Sequence, residues 1–320
     1  MRNNRILILG ADKMLGRALI FHFAKKTQND LLPIKQKEID GHNLNEILLL
    51  LQKYAPYQVI SLLGNSGGIA LNQAIPADLM IDNLLTALNV MRACHQSNIQ
   101  KAIFLGSSCM YPVNTSQPIQ EHSLFENYLE PTSQPYAVAK LAAFQLCEAF
   151  NKQYGTNFIF AIPNSLYGPY DNFNPSSAHV VGALINKFHQ AKLNQSEIVV
   201  LWGSGLPRRE LIYVNDAARA TARLLKNDIT ASINPINIGC GYDISIKNLA
   251  EMVANTVGFK GKIVWDSSKS DGVLQKWLDN SKLHELGWSA QTSLGKGLIF
   301  TYRWYLAHSM RRNMHDQIYV

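Results

Sequence analysis

Short, continuous apolar runs alternate along the first half of the chain with longer stretches in which apolar residues recur at helical spacing. ILILG, closing on Gly10, predicts a strand over 5–10, and MLGRALIFHFAKK predicts a helix over 14–26. LLPI predicts a strand over 31–34, LNEILLLLQKYA a helix over 44–55, and QVISLLG a strand over 58–64. Pro76 then opens a long helical pattern over 76–96, a position where proline costs nothing because its missing N–H would have no partner. KAIFL (101–105), a helix over 135–154 and FIFAIPN (158–164) continue the alternation. Strands of unbroken hydrophobicity are those covered on both faces, and helices between them are the crossovers that parallel pairing requires. The pattern predicts an α/β fold, a doubly wound parallel sheet of Rossmann-like type.

After Asn164 the rhythm breaks. Gly, Pro, Asn and Ser crowd PNSLYGPYDNFNPSSAH, and strands and helices no longer strictly alternate. A smaller C-terminal α/β lobe is expected, interleaved with the first domain. The expected division assigns 1–165, with returning segments at 191–231 and 266–295, to the first domain. It assigns 166–190, 232–265 and 296–310 to the second lobe, and 311–320 to a polar tail that frays. A chain of 320 residues suits one large domain or two interleaved ones.

Composition narrows the classes. A hydrophobic fraction of 47% and a charged fraction of 17% are ordinary for a folded soluble protein. The apolar run before Gly10 is too short for a signal-peptide core, and ILLLL at 47–51 falls far short of the ~18 residues that span a bilayer. A soluble, cytoplasmic protein without membrane contact is expected. Cysteines at 94, 109, 147 and 240 show neither C-x-x-C spacing nor a nearby His pattern, which argues against structural zinc, another metal site or a disulfide framework. The net charge of +7 suits an anionic ligand, but the basic residues are scattered, which argues against nucleic acid.

Three stretches could carry chemistry. GADKMLG, residues 10–16, stands where a dinucleotide fold needs glycines for a pyrophosphate at a helix N-terminus, although Lys13 takes the middle position and an ordinary strand-to-helix turn competes. Tyr136 and Lys140 stand four apart on one helix face, where an ammonium favours the phenolate and a phenol can exchange a proton with a carbinol oxygen. Such a pair also arises by chance on helix surfaces. Its place between the fourth and fifth strands, with serines upstream, favours function. FLGSSCMYP (104–112) is the third: a turn needs Gly106, Ser107 and Ser108, but it has no need of Cys109.

On these residues the chain resembles the extended short-chain dehydrogenase/reductases. That resemblance implies a Ser, Tyr and Lys acting together. Counting back four from Tyr111 selects Ser107, with Ser108 as a turn residue beside the substrate. GSSCMYP, EPTSQPYAVAKLA, NSLYGPYDNFNPSSAHV, LWGSGLPRRELIYVNDAA and SKSDGVLQKWLD together resemble the GDP-L-fucose synthase family, epimerase/reductases of a GDP-4-keto-6-deoxy sugar.

The resemblance implies that Cys109 and His179 are a proton-transfer pair for inversion at C-3 and C-5. A thiol suits the base because its ordinary pKa of ~8.5 falls beside cations, and an imidazole can donate near neutrality. It implies NADPH as hydride source and Tyr136 as proton donor to the C-4 oxygen, with Ser107 and Lys140 beside it. Cofactor contacts are expected from Gly10, Asp12, Lys13, Met14, Leu15 and Gly16, and from Lys35 and Lys37 near the adenosine ribose. Further contacts are expected from Leu105, Gly106, Tyr136, Lys140, Pro163, Asn164, Leu166 and His179. Ser108, Asn164, Lys187, Trp202 and Arg209 are expected to hold the GDP-sugar, with Arg208 the competing solvated partner of Arg209. NIGCG (237–241) reads as structural, with Cys240 a packing residue.

The chain departs from the family pattern in two places. The family usually has Arg in the first glycine loop, where this chain has Asp12 before Lys13; Asp12 is repulsive to a 2′-phosphate unless turned away or offset by Lys13. Asn65, in GNSGG, replaces a lysine. The implied domain roles are NADP binding for the first domain and substrate binding for the second lobe. The family pairs helices like 76–96 and 135–154 across a two-fold axis, so a homodimer is expected. Two other activities fit the same residues: C-4 reduction of another GDP-4-keto sugar, such as a deoxyheptose or colitose precursor, and a non-catalytic nucleotide-binding relative.

Overall fold

The structure, a computed structural model, describes residues 5–24, 30–226, 228–269 and 271–318. In chain order the elements are β1 (Ile6–Leu9), α1 (Met14–Ala24), β2 (Leu31–Ile34), α2 (Leu44–Tyr54), β3 (Gln58–Ser61), α3 (Ile69–Ala74), α4 (Pro76–Gln96), β4 (Lys101–Leu105) and α5 (Gln134–Tyr154). There follow β5 (Phe158–Pro163), β6 (Ser165–Tyr167), α6 (Val180–Leu193), β7 (Ile198–Trp202), β8 (Arg208–Tyr213), α7 (Val214–Leu224) and β9 (Ile236–Ile238). The chain closes with β10 (Asp243–Ser245), α8 (Ile246–Val257), β11 (Lys262–Asp266), β12 (Gln275–Lys276), α9 (Ser281–Glu285) and α10 (Leu294–Ile318).

The main sheet has six strands in the order β2-β1-β3-β4-β5-β9, all parallel. Its central strands are buried along their whole length because successive side chains feed two different cores. Leu7, Leu9, Val59, Phe104, Phe158 and Phe160 join the core with α2, α4 and α5. Their neighbours Ile6, Ile8, Ile60, Ile103 and Ile159 join the core with α1 and α7. Each such side chain stabilises the fold by about 1.5–3 kcal/mol relative to exposure, so unbroken hydrophobicity in these strands is what a two-sided sheet requires.

One charge sits at the foot of this sheet. Lys101 is buried at the start of β4, and its ammonium donates to the carbonyls of Leu224 (3.1 Å), Ile229 (2.6 Å) and Lys226. These carbonyls lie at and beyond the C-terminus of α7, where a cation is favoured.

The smaller lobe has its own core, built from α6, α8, α10, Tyr167, Leu211 and Tyr213. Its β8 is flanked by β6, β10 and β12, and β7 pairs parallel with β11. Several segments cross the expected division. Arg208–Tyr213 and Gln275–Lys276, expected in the first domain, pair with each other in the smaller lobe. Ile236–Ile238, expected in the smaller lobe, pairs with β5 as the last strand of the main sheet. Ile198–Trp202, expected to return to the first domain, pairs with β11 and buries Val199 and Leu201 in the smaller core. Both strands are short, and long-range pairing decides their sheet.

The strand expected over 58–64 ends at Ser61, ahead of Gly64, whose φ is +97°. Positions 25 and 26 of the first expected helix lie outside the described residues. The segment expected to fray, 311–320, continues α10 as far as Ile318, the remainder lying outside the described residues. Among the described residues, no helix is long and apolar enough to cross a membrane.

Candidate active site

The turn after β1, Lys13, the Ser107–Cys109 turn, Lys140 and Asn164 stand at the C-terminal ends of the main-sheet strands, where ligands of doubly wound folds bind. After β1 the chain turns at Gly10, with φ +79°. A Cβ on Gly16 would lie 2.6 Å from the Gly10 carbonyl oxygen and 2.8 Å from Ala11 Cα, so α1 starts flush against the turn. The first turn of α1 carries no acidic side chain. A tight glycine turn that ends directly at a helix N-terminus fits a dinucleotide pyrophosphate. Leu15 lies in the core beneath α1 and so offers a ligand only its backbone, whereas Met14 is half-buried.

Asp12 turns sideways: its carboxylate accepts from the Gln36 N–H at 2.7 Å. Lys13 points inward and donates to the Gly64 carbonyl. Burial pulls its pKa down to about 8, opposed by Asp82 and Asp12. Lys35 pairs with Glu38 at 3.4 Å, and both it and Lys37 are exposed beside the end of β2.

β4 runs into the turn that holds Ser107, Ser108 and Cys109. Gly106 fits there because a Cβ would lie 2.7 Å from both Met110 Sδ and Phe160 Cε1. The Ser107 hydroxyl accepts from the Cys109 N–H at 3.3 Å, and Ser108 is buried. The far end of the turn is anchored by Tyr111, whose buried phenol donates to Asn237 Oδ1 at 2.6 Å. Asn237 in turn donates to the carbonyls of Ile119 (3.0 Å) and Asp279 (3.1 Å), so NIGCG braces the turn.

Tyr136 stands in the first turn of α5 and is buried, with Ser107 as a hydrogen-bond partner. Lys140 sits one helical turn on, its Nζ donating to the Leu105 carbonyl at 3.2 Å and lying 5.7 Å from the centre of the Tyr136 ring. The sequence predicts that this ammonium favours the phenolate. Burial outweighs it: desolvation pushes the Tyr136 pKa up and nearby Cys109 adds to the rise, while only the Ser107 hydrogen bond opposes. Tyr136 is therefore a neutral phenol, the form that donates to a carbonyl oxygen. Burial lowers Lys140 to about 8, with Lys13 lowering it further and Asp82 opposing.

Cys109 is a free, half-buried thiol that acts electrostatically on Tyr136 and also on Arg209. Burial pushes the Arg209 pKa down, opposed by Cys109, Glu130 and Asp271. Its neighbour Arg208 is exposed and spent on Asp243, with Nη2 to Oδ1 at 2.7 Å. His179 is the N-cap residue of α6; it keeps an exposed edge, and desolvation by the protein around it pulls its pKa down.

Asn164, at the end of β5, is also buried, and its side chain is engaged within the protein. It donates to Glu210 Oε2 at 2.7 Å and accepts from the Ser165 N–H at 2.9 Å. Pro163 is buried beside it at the end of β5, and Leu166 packs partly against the core under α1. Lys187 is exposed on α6. Trp202 is 69% exposed at the end of β7, with Lys269 over its ring at 5.9 Å.

Sequence reasoning passed over three participants. Glu210 is fully buried and accepts from Asn164, Leu278 (2.9 Å) and Gly241 (2.8 Å), joining β5, β8 and the segment after β12. Glu130 caps the turn before Tyr136 by accepting from the Thr132 N–H (3.2 Å) and the Ser133 hydroxyl (3.2 Å). Its signal was EPTS, an acid before a short polar turn. Asp82 accepts from the Asn65 N–H at 2.7 Å and acts on both Lys13 and Lys140. Among the described residues no group of three or more His, Cys, Asp or Glu could hold a metal ion.

Comparison with known proteins agrees with this geometry. The NAD dependent epimerase/dehydratase family matches residues 6–239. GDP-L-fucose synthase of Escherichia coli (strain K12) is 37% identical over 318 residues, covering 97% of this chain and 99% of that protein. GDP-L-fucose synthase of Sinorhizobium fredii (strain NBRC 101917 / NGR234) is 42% identical over 304 residues, covering 95% and 96%. The crystal structure of a GDP-6-OMe-4-keto-L-xylo-heptose reductase from C. jejuni superposes with a TM-score of 0.90 at 33% identity, over 96% of this chain and 99% of that one. A GDP-L-fucose synthetase from Naegleria fowleri bound to NADP gives 0.88 at 28%, over 97% and 95%. The chain thus belongs to the NAD dependent epimerase/dehydratase family, within the extended short-chain dehydrogenase/reductases that include the GDP-L-fucose synthases.

Proposed function

We propose that this protein is an NADPH-dependent 3,5-epimerase and 4-reductase that converts GDP-4-keto-6-deoxy-D-mannose to GDP-L-fucose. The observation that carries the reading is Cys109, a free thiol within electrostatic reach of both the Tyr136 phenol and the Arg209 guanidinium. A reductase alone needs the phenol but not the thiol.

In this reading the six-stranded domain holds NADP and the smaller lobe holds the sugar nucleotide. The loop from Gly10 to Gly16 takes the pyrophosphate, Lys35 and Lys37 take the 2′-phosphate, and Lys140 takes the nicotinamide ribose. The engagement of Asp12 by Gln36 supports this, because it removes the acid expected to repel a 2′-phosphate. NADPH, when bound, supplies the hydride that reaches C-4. Arg209, Lys187 and Trp202 hold the GDP moiety, with the guanidinium paired to phosphate oxygens.

The C-4 ketone acidifies the C–H bonds at C-3 and C-5. The Cys109 thiolate takes a proton from the carbon and protonated His179 returns one to the opposite face; exchange with solvent then restores both groups before the second centre is inverted. The negative charge that develops on the C-4 oxygen is met by the hydroxyls of Ser107 and Tyr136. Tyr136 then gives that oxygen its proton during reduction. A neutral phenol at rest is the state this step requires.

The reading includes a cytoplasmic homodimer. Four free cysteines support the compartment. Ile81 and Leu85, one turn apart on α4 and 52% and 38% exposed, support pairing through α4 and α5.

The test is purified protein with NADPH and GDP-4-keto-6-deoxy-D-mannose in heavy water. Loss of NADPH absorbance, with deuterium at C-3 and C-5 of the product, supports the reading, and unchanged absorbance overturns it. A second reading, C-4 reduction of another GDP-4-keto sugar, is favoured by the likeness to the heptose reductase. It predicts NADPH consumption with a GDP-4-keto-heptose and no deuterium uptake.

A further inference from the structure

His179 opens α6, and the backbone just before it is held by a glycine from another element. The Gly68 N–H donates to the Ser177 carbonyl at 3.3 Å, and a Cβ on Gly68 would lie 2.7 Å from the Ala178 carbonyl oxygen. That oxygen belongs to the peptide joining Ala178 to His179. It has no rotamer through which to give way. Nor can the segment retreat, because Asn174 O accepts from the N–H groups of Ser177 (3.1 Å) and Ala178 (2.8 Å). Behind it, a Cβ on Gly182 would lie 2.3 Å from the Asn172 carbonyl oxygen.

Gly68 is itself fixed. The buried side chain of Asn72, on α3, donates to the carbonyls of Gly67 (2.9 Å) and Gly68 (3.1 Å). α3 also packs on the 131–133 turn that leads into Tyr136. A short helix with no place in the chemistry thus touches both the segment bearing His179 and the approach to Tyr136.

We infer that Gly68 and Asn72 form a positioning clamp that sets the start of α6, and with it His179, relative to the turn leading into Tyr136, so that loosening it impairs proton transfer at the sugar carbons more than reduction at C-4. The inference rests on the epimerase/reductase reading above. A misplacement of about 1 Å can cost on the order of 100-fold in rate, and a methyl group at Gly68 demands a shift of several tenths of an ångström from backbone that is closed on its other side.

The two half-reactions are measured separately on the full chain. One is deuterium uptake at C-3 and C-5 of GDP-4-keto-6-deoxy-D-mannose in heavy water with oxidised NADP. The other is NADPH consumption with the 4-keto sugar already inverted at both carbons. Gly68→Ala is expected to slow exchange by about 10- to 100-fold while reduction stays within about twofold. Asn72→Ala, which adds no bulk and leaves the glycine in place, is expected to shift the same ratio in the same direction by about 3- to 10-fold. Equal losses in both half-reactions, or unchanged exchange in both variants, overturn the clamp. An unmodified protein that reduces but never exchanges overturns the epimerase reading itself, and the inference with it, before any variant is made.

Discussion

Lys13 and Lys140 hold two buried ammonium groups against backbone carbonyls, Gly64 just past the end of β3 and Leu105 at the end of β4. The strands are neighbours, and the Lys13 charge lowers the proton affinity of Lys140. An ammonium whose pKa is depressed to about 8 loses its proton as pH rises through that value. In the free enzyme kcat/KM reports such a group, so activity is expected to fall on the alkaline side with an apparent pKa near 8. Lys13→Met removes the repelling charge and is expected to move that limb to higher pH. A limb that stays in place in a pH–rate profile would count against the coupling.

Tyr136→Phe is expected to lower kcat for NADPH consumption by about 100- to 10,000-fold, the range for loss of a general acid. NADPH binding, followed by fluorescence, is expected to persist. Turnover equal to that of the unmodified protein would leave a non-catalytic role standing.

Arg208 and Arg209 are adjacent in sequence but differ in environment. Arg209→Met is expected to raise KM for the GDP-sugar by about 10- to 100-fold, the equivalent of about 1.5–3 kcal/mol for charge-assisted hydrogen bonds. Arg208→Met breaks only a surface pair with Asp243 and is expected to change KM by less than about twofold. Initial-rate measurements on both variants separate the two.

Glu210→Ala is expected to destabilise the fold by at least about 3 kcal/mol, because a buried donor left without an acceptor costs about 1–3 kcal/mol and three are affected. Glu210→Gln keeps the shape and one strong acceptor oxygen, so a smaller loss is expected. The midpoint of urea unfolding reports both.

The main sheet could be read from sequence because two-sided burial leaves little freedom: ILIL, FIFAIP and their neighbours must be apolar at every position. The turn from Ser107 to Cys109 and the Tyr136–Lys140 spacing were visible for a similar reason, since helix periodicity fixes the pair. Glu210 was not. In RRELIY it follows two arginines and reads as a solvated charge, yet its acceptors' partners come from residues 164, 241 and 278. The same holds for β9, where three residues join the main sheet by pairing with a strand more than seventy positions earlier. Nothing in GNSGG marks Gly68, because the neighbour that requires a glycine there, Ala178, lies more than a hundred positions away.

The hydrogen bond from Tyr111 to Asn237 has a consequence for how such a protein can change. Gly106 fastens one end of the reactive turn to β5, and Tyr111 fastens the other to the strand beyond it. The hydroxyl and thiol are therefore carried on a part with two bolts, neither of them touching the lobe that holds Lys187 and Trp202. A lineage, or an engineer, can rework that lobe toward a different sugar while the chemistry of the turn stays where it was.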